Sequence, residues 1–322
     1  MKIQTDFSPL RGDRRPIFLA AGVFDGLHRG HRKVLRHTLA QADAHGGRAW
    51  VFTFPNHPMS ALRGGQAPRL LTSGHHKALL LERLGMDGCF MIPFTPELAA
   101  LEAEAFVRRL RDAVPSLAEI VIGRRWRFGR DGTGDPRLLS RLGRRTGFAL
   151  GVIRPVLRHG RPISSTRIRA AVEQGDLDEA AAMLGRPFSV LGTVVPGRSV
   201  GRRLGYPTAN LDVQNEQLPP RGVYTVRANV AGPEDRPAGR EDAARPGIVS
   251  FGLRPTFGRQ ETDRPALELH LLDWQGDLYG RDIEVSLLAR LRDERRFDSP
   301  EALRRQIGDD VARAREVLAA AP

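Results

Sequence analysis

The sequence predicts two domains of different class, an α/β domain followed by an all-β domain. Three observations carry the prediction. They are the chain length, the alternation of strand-like and helix-period segments from Pro16 to about Ile153, and the change beyond Arg186-Pro187 to short β-type runs broken by turns. At 322 residues the chain is long for one hydrophobic core, because domains usually hold about 100–200 residues. Hydrophobic residues at 41% and charged residues at 27% match an ordinary folded protein, which excludes a disordered or fibrous chain. The change of pattern sets the expected seam between residues 1–186 and 187–322.

Taken in order, Met1–Pro16 is polar and holds no apolar core of a secretion signal. Ile17–Ala21, Trp50–Phe54, Cys89–Ile92, Glu119–Ile122 and Phe148–Ile153 are short apolar runs and read as buried strands. Between them, Arg32–Ala42 places Val34, Leu35, Thr38, Leu39 and Ala42 on one helical stripe, and Glu102–Ala113 does the same with Ala105, Phe106, Leu110 and Ala113. Strand–helix alternation predicts a parallel sheet with helices on its faces, whose ligands bind beyond the carboxyl ends of the strands. In the second half Ser189–Val195, Val223–Val230, Gly247–Phe251, Ala266–Leu272 and Ile283–Leu288 predict an antiparallel barrel or sandwich. A helix over Pro300–Ala319, with Leu303, Ile307, Val311, Ala314 and Leu318 at helical spacing, closes the chain. The charged, Gly- and Pro-rich Ala231–Pro246 reads as an exposed loop.

Charge and cysteine usage narrow the function classes. Fifty basic against 37 acidic residues give a net charge of +13, which raises nucleic acid as a partner. Only Lys2, Lys33 and Lys77 are lysines, however, and the arginines are dispersed without the interleaved aromatics that stack bases. That pattern points to biased codon usage more than to a binding patch, so no nucleic-acid partner is expected, while part of the charge is available to concentrate anionic nucleotides. The single Cys89 excludes an internal disulfide and a Cys-based zinc site, and fits a reducing cytoplasm. No run reaches the roughly 18 apolar residues of a spanning helix, so no membrane partner is expected either. An oligomer is compatible with the sequence.

The first chemical signal follows the first strand: Gly22-Val23-Phe24-Asp25-Gly26-Leu27-His28-Arg29-Gly30-His31, ending where a helix begins. Free N–H groups and the helix dipole favour phosphate there. Gly26 and Gly30 allow a ligand to approach the backbone. His28 and His31, three residues apart, can reach one phosphate together, though the same spacing also suits a metal pair or two surface histidines. His57, in Asn56-His57-Pro58, follows the next strand. Ile163-Ser164-Ser165-Thr166-Arg167-Ile168-Arg169 offers three hydroxyls and two arginines at a helix start, either as a cap or as a phosphate site.

These elements, with Phe128-Gly129, occur in an order that resembles the adenylyltransferase half of prokaryotic bifunctional riboflavin kinase/FAD synthetases, a branch of the HxGH nucleotidyltransferases. The resemblance implies a Rossmann-like domain. It places His28 and His31 as catalytic residues at the ATP phosphates, with Gly22, Phe24, Gly30, His57, Ser164, Ser165, Thr166 and Arg169 as ATP-binding residues. The chain departs from the family pattern at Asn56, where proline is usual, at Arg125, where an acidic or amide residue is usual, and at Gly132, near which an arginine is usual. These departures motivate an alternative in which only the second half is active and the first is a degenerate or repurposed nucleotide binder.

The second half has no Walker A sequence, so phosphoryl transfer there must use another design. Gly197-Arg198-Ser199-Val200-Gly201-Arg202-Arg203-Leu204-Gly205 is a basic Gly-rich loop able to nest an anion, and Tyr206-Pro207-Thr208-Ala209-Asn210 offers the hard oxygens magnesium accepts. The same residues also serve simply as a turn and a strand start. In Ala266–Asp273 the two-residue period turns Leu267, Leu269 and Leu271 to one face and Glu268 and His270 to the other, where Glu268 is either a solvated residue or a general base. The run Gly201–Asn210 resembles the riboflavin kinases, as do Gly222-Val223-Tyr224, Gly252–Gly258, Glu268-Leu269-His270, Leu278-Tyr279-Gly280 and Leu291–Phe297, in that order. The resemblance implies a six-stranded antiparallel barrel. In it Gly201, Arg202, Gly205, Thr208 and Asn210 bind ATP, Thr208 and Asn210 also hold Mg2+, and Glu268 is the catalytic base for the ribityl hydroxyl. Riboflavin, FMN, FAD and ATP are then the expected small-molecule partners, with ATP as co-substrate.

Overall fold

The computed structural model describes residues 1–10, 14–63, 67–197, 200–231, 244–253 and 265–320, apart from a few side chains within those ranges. They form two compact units, Met1–Arg167 and Ile168–Pro322. The first unit runs β1 (Lys2–Gln4), β2 (Ile17–Ala21), α1 (Arg29–Ala44), β3 (Arg48–Thr53), α2 (Pro58–Arg63), α3 (Gly74–Arg83), β4 (Gly88–Met91), α4 (Pro96–Ala99) and α5 (Ala103–Ala113). It continues through β5 (Leu117–Gly123), α6 (Pro136–Thr146), β6 (Ala149–Ile153) and a small hairpin of β7 (Leu157–Arg158) and β8 (Arg161–Pro162).

A six-stranded parallel sheet in the order β1-β4-β3-β2-β5-β6 organises this unit. The strand period sorts its side chains into two cores. Ile17, Leu19, Ala21 and Phe52 pack with Phe106, Leu110, Leu139 and Leu142 of α5 and α6. Phe18, Ala20 and Val51 pack on the opposite face with Val34, Leu35, Ala78 and Leu81 of α1 and α3. Two differences from expectation lie at the sheet edges. The polar segment Lys2–Gln4 forms an edge strand paired with β4, because an edge strand needs ladder hydrogen bonds more than apolar side chains. Phe148–Ile153, expected to be buried, supplies the other edge instead, with Ala149 and Val152 exposed.

α7 (Ser165–Gln174) crosses the division between the units. The second unit continues with α8 (Leu177–Leu184), β9 (Phe188–Val195), α9 (Val200–Arg203), β10 (Ala209–Val213), β11 (Gly222–Ala231), β12 (Arg245–Leu253), β13 (Pro265–Leu271), β14 (Asp282–Arg292) and α10 (Pro300–Ala320). The division at Arg167/Ile168 precedes the Arg186-Pro187 change of pattern because α8 packs on β9 and β14. The six strands close into an antiparallel barrel in the order β10-β13-β12-β11-β14-β9. Of the expected loop Ala231–Pro246, Ala231 ends β11 and Arg245-Pro246 begin β12, while residues 232–243 lie outside the described set. α10 lies on Val223, Ile248 and Leu291 through Ile307, Val311 and Ala314. Arg292 clasps the buried Asp310 of α10 with the Nε–Nη2 edge of its guanidinium, at 2.8–3.0 Å.

Candidate active sites

The loop after β2 owes its shape to an unusual backbone. Phe24, Gly26 and Leu27 take positive φ values of 51°, 78° and 41°, which turns the chain sharply before α1. Sequence periodicity gives no sign of what holds this turn. The buried Asp25 carboxylate accepts hydrogen bonds from Leu71 N at 3.0 Å, Thr72 N at 3.1 Å and Thr72 Oγ1 at 3.3 Å. Gly26 N in turn donates to Thr72 Oγ1 at 3.1 Å.

His28 is the N-cap of α1, and its Nδ1 accepts the His31 N–H at 3.2 Å. In the neutral ring the proton therefore sits on Nε2, which makes that nitrogen a donor suited to a phosphate oxygen. The His28 and His31 rings stack with centroids 3.5 Å apart, and Phe24 meets His31 edge-on at 5.3 Å. Gly22 and Gly30 make this stack possible. A Cβ at Gly22 would stand 3.0 Å from the Phe24 ring, and one at Gly30 would stand 3.0 Å from the His28 ring. His31 is half-buried as a residue, but its Nδ1 is shut off from solvent and has no hydrogen-bond partner among the described residues. That desolvation, reinforced by repulsion from His28 whenever it is protonated and from Lys77, holds His31 well below its ordinary pKa and keeps it neutral. Phe24 is 2% exposed and supports the histidines from beneath.

β3 lies beside β2, so its carboxyl end presents Asn56 and His57 at the same end of the sheet. Asn56 Nδ2 donates to Phe94 O at 3.1 Å and its Oδ1 accepts from Phe94 N at 2.9 Å. His57 Nδ1 accepts the Met59 N–H at 3.1 Å, at the start of α2. Ser165 Oγ donates to Asp25 O at 3.0 Å, which ties the serine stretch to the histidine loop. Ser164 Oγ accepts from Arg167 N at 3.4 Å and begins α7. Thr166 is exposed, and Arg169 is half-buried within the second unit. On the other side of β2, Ile122 pairs with Ala21, and just beyond it Arg124, Arg125 and Arg127 line a cavity of about 540 Å³ with Pro155.

In the barrel, Asn210 of β10 pairs directly with Glu268 of β13, and Glu268 pairs on its other side with Ser250 of β12. Leu211, Leu267 and Leu269 are buried while Glu268 is exposed, so Asn210 and Glu268 are neighbours on the outer face of the barrel. The approach to β10 is folded back over this face: His270 Nδ1 lies 2.8 Å from Pro207 O, and the Tyr206 ring meets His270 edge-on at 5.6 Å. Glycines shape the turn. Gly205 takes φ +87° and ends α9, and both Leu204 N and Tyr206 N donate to Gly201 O. A Cβ at Gly201 would stand 2.3 Å from Tyr206 O and 3.1 Å from Thr208 Oγ1, and one at Gly197 would stand 1.9 Å from Asn210 Nδ2. The two oxygen-bearing side chains are thus seated against bare backbone. Arg198, Ser199, the Arg202 side chain and Arg254–Gly258 lie outside the described residues.

Two family models match the chain in tandem. FAD synthetase covers residues 11–167, and riboflavin kinase covers residues 184–318. Among curated relatives, the bifunctional riboflavin kinase/FMN adenylyltransferase of Pseudomonas fluorescens is 33% identical over 319 residues, covering 99% of this chain and 98% of its own. The protein of the same description from Escherichia coli K12 is 35% identical over 298 residues, covering 92% and 91%. A solved structure described as a macrolide-efflux protein from Streptococcus pneumoniae superposes with a TM-score of 0.75 at 26% identity, covering 97% of this chain and 98% of that one. Among the described residues of this chain, no helix is long and apolar enough to cross a membrane.

Proposed function

Because the chain belongs to the family of bifunctional riboflavin kinase/FMN adenylyltransferases, we propose that its two folds divide the two reactions, residues 187–322 phosphorylating riboflavin and residues 1–186 adenylylating FMN. The enzyme converts riboflavin and ATP to FMN, and FMN and ATP to FAD and pyrophosphate. A kinase-only reading gives way because both family models are present in one chain.

In the barrel, the observation that carries the assignment is the direct pairing of Asn210 with Glu268. Glu268 orients the terminal ribityl hydroxyl and accepts its proton as that oxygen attacks the γ-phosphorus and ADP departs. Thr208 and Asn210, seated against Gly201 and Gly197, supply the hard oxygens for Mg2+. When bound, the ion neutralises charge on the phosphates. Gly201, Arg202 and Gly205 form the turn that holds the nucleotide.

In the α/β domain, an FMN phosphate oxygen attacks the α-phosphorus of ATP and pyrophosphate leaves. No proton has to move at the reacting oxygen, so the protein supplies position and charge stabilisation. His28 donates from Nε2, neutral His31 stacks behind it, and the N-terminus of α1 adds its dipole. Gly22 and Gly30 admit the stack and Phe24 supports it. His57, Ser164, Ser165 and Thr166 complete the ATP-binding set. A cytoplasmic location suits an ATP-dependent enzyme whose one cysteine is a buried thiol.

The deciding experiment gives purified protein magnesium and ATP, with riboflavin in one tube and FMN in another, and separates the flavins by chromatography. FMN and FAD from the first tube and FAD from the second are expected. An inert FMN tube would refute the adenylyl-transfer assignment.

A further inference from the structure

Lys77 is a buried cation whose charge helps keep His31 neutral but whose own hydrogen bonds have no part in the chemistry derived above. It sits on α3 with no solvent exposure. Its Nζ donates to Val23 O at 2.9 Å and to Phe54 O at 2.6 Å. Val23 opens the loop that carries His28 and His31 after β2, and Phe54 opens the loop that carries Asn56 and His57 after β3. Thr53 Oγ1 donates to the same Val23 carbonyl at 2.9 Å. One ammonium therefore spans the carboxyl ends of two adjacent parallel strands, where a sheet of this class binds its ligand.

Holding a cation there is costly. Burial pushes Lys77 down to about 8, against the support of Asp25 from the histidine loop and Cys89 from β4. His31 on α1 also faces the ammonium. The chain otherwise meets its need for positive charge almost wholly with arginine, lysine occurring only at positions 2, 33 and 77. A compact ammonium with three rotatable donors suits two converging carbonyls in a closed space, which a planar guanidinium fork does not.

We propose that Lys77 is a positioning residue for adenylyl transfer, its ammonium fixing the spacing between the loop bearing His28 and His31 and the loop bearing His57. The inference rests on the reading of His28 and His31 as the α-phosphate site. Displacing one loop relative to the other by about 1 Å would cost on the order of 100-fold in rate.

The test is Lys77→Met in the full-length protein, assayed well below its unfolding temperature. The expected result is a kcat for FMN adenylylation lower by about 100-fold, with little change in the KM for ATP and with riboflavin phosphorylation unaltered in the same preparation. A lysine that only stabilises the fold would lower the unfolding midpoint and leave kcat per folded molecule unchanged, and that outcome overturns the proposal. Should Lys77→Met not fold, Thr53→Val decides, since it removes only the second donor to Val23 O. A smaller loss of adenylylation kcat supports the clamp, and an unchanged kcat overturns it. His28→Ala separates the two levels of the argument. If it leaves FAD formation intact, the site reading itself fails. If it abolishes FAD formation while Lys77→Met stays active, only the clamp fails.

Discussion

Replacing Glu268 by glutamine removes a proton acceptor while leaving the shape of the side chain almost unchanged. Glu268 is exposed on the outer face of β13, flanked in register by Asn210 and Ser250, and the leucines on either side of it point into the barrel. An exposed substitution of this kind shifts stability by no more than about 0.5 kcal/mol. Any large effect must then lie in the chemical step. A positioned general base typically contributes about 10²–10⁴ in rate, or roughly 3–5 kcal/mol of barrier. FMN formation should fall by that factor through kcat, with the KM for riboflavin nearly constant, because the carboxylate acts on a proton that moves only as the phosphoryl group transfers. The assay follows initial rates of riboflavin phosphorylation and FMN adenylylation on one preparation of Glu268→Gln. The second rate is the control, since its residues lie in the other fold. A kinase rate that survives the change would remove Glu268 from the base role. Parallel loss of both rates in a folded protein would show that the two activities are not divided as argued.

Four other outcomes follow from the structure. His28→Asn keeps an N-cap acceptor for α1 but removes the Nε2 donor, so FAD formation should collapse while helix stability, read by thermal unfolding, changes by only a few tenths of a kcal/mol. Arg292→Ala leaves the buried carboxylate of Asp310 without its bidentate partner, which should cost the barrel about 3–5 kcal/mol in denaturant unfolding and open α10 to hydrogen exchange. His31, held well below 6.5 in the fold, resists a proton that the unfolded chain takes up, so stability should fall as pH drops below about 6.5. Lys77 acts in the alkaline range. Its native value of about 8 against an ordinary 10.5 means that the unfolded chain binds more protons between those values, so its contribution makes stability rise from pH 8 to 10.5. Denaturant midpoints measured across pH for the wild type and for His31→Phe check the acid limb, which should flatten in the variant.

Strands buried on both faces were legible because their apolar runs leave little alternative: β2, β3 and β4 stand within a few residues of where hydrophobicity alone puts them. The edges were not. Lys2–Gln4 is polar and forms a strand through its pairing with β4, while Phe148–Ile153 is apolar yet lies at the opposite edge with Val152 exposed. The α1 stripe was readable, but its first turn was not, because His28 caps the helix with an imidazole where sequence rules look for Ser, Thr, Asp or Asn. The seat of the histidine loop was hidden for a different reason. Thr72 and Lys77 lie far along the chain from Asp25 and Val23 and carry no period with them, and only the sheet brings them together. A lysine in a basic helix looks solvated until the strand ends above it are placed.

The departures at Asn56, Arg125 and Gly132 can be weighed in the same way. Asn56 is held by two hydrogen bonds to the backbone of Phe94, one given and one received, so the amide closes the loop after β3 by a bond where a proline would close it by its ring. Gly132 sits at φ +65° directly after Asp131 at φ 53°, a turn in which an L side chain such as arginine would be strained. Arg125 is exposed and lines the cavity beyond β5 with two further arginines, one strand removed from the histidine loop. The His28–His31 stack depends instead on Gly22, Phe24 and Gly30. Two of the departures are thus local solutions to loop closure, and the third changes charge at the rim. A degenerate site would be expected to lose first the small residues and caps that hold its histidines together, and those are the residues this chain retains.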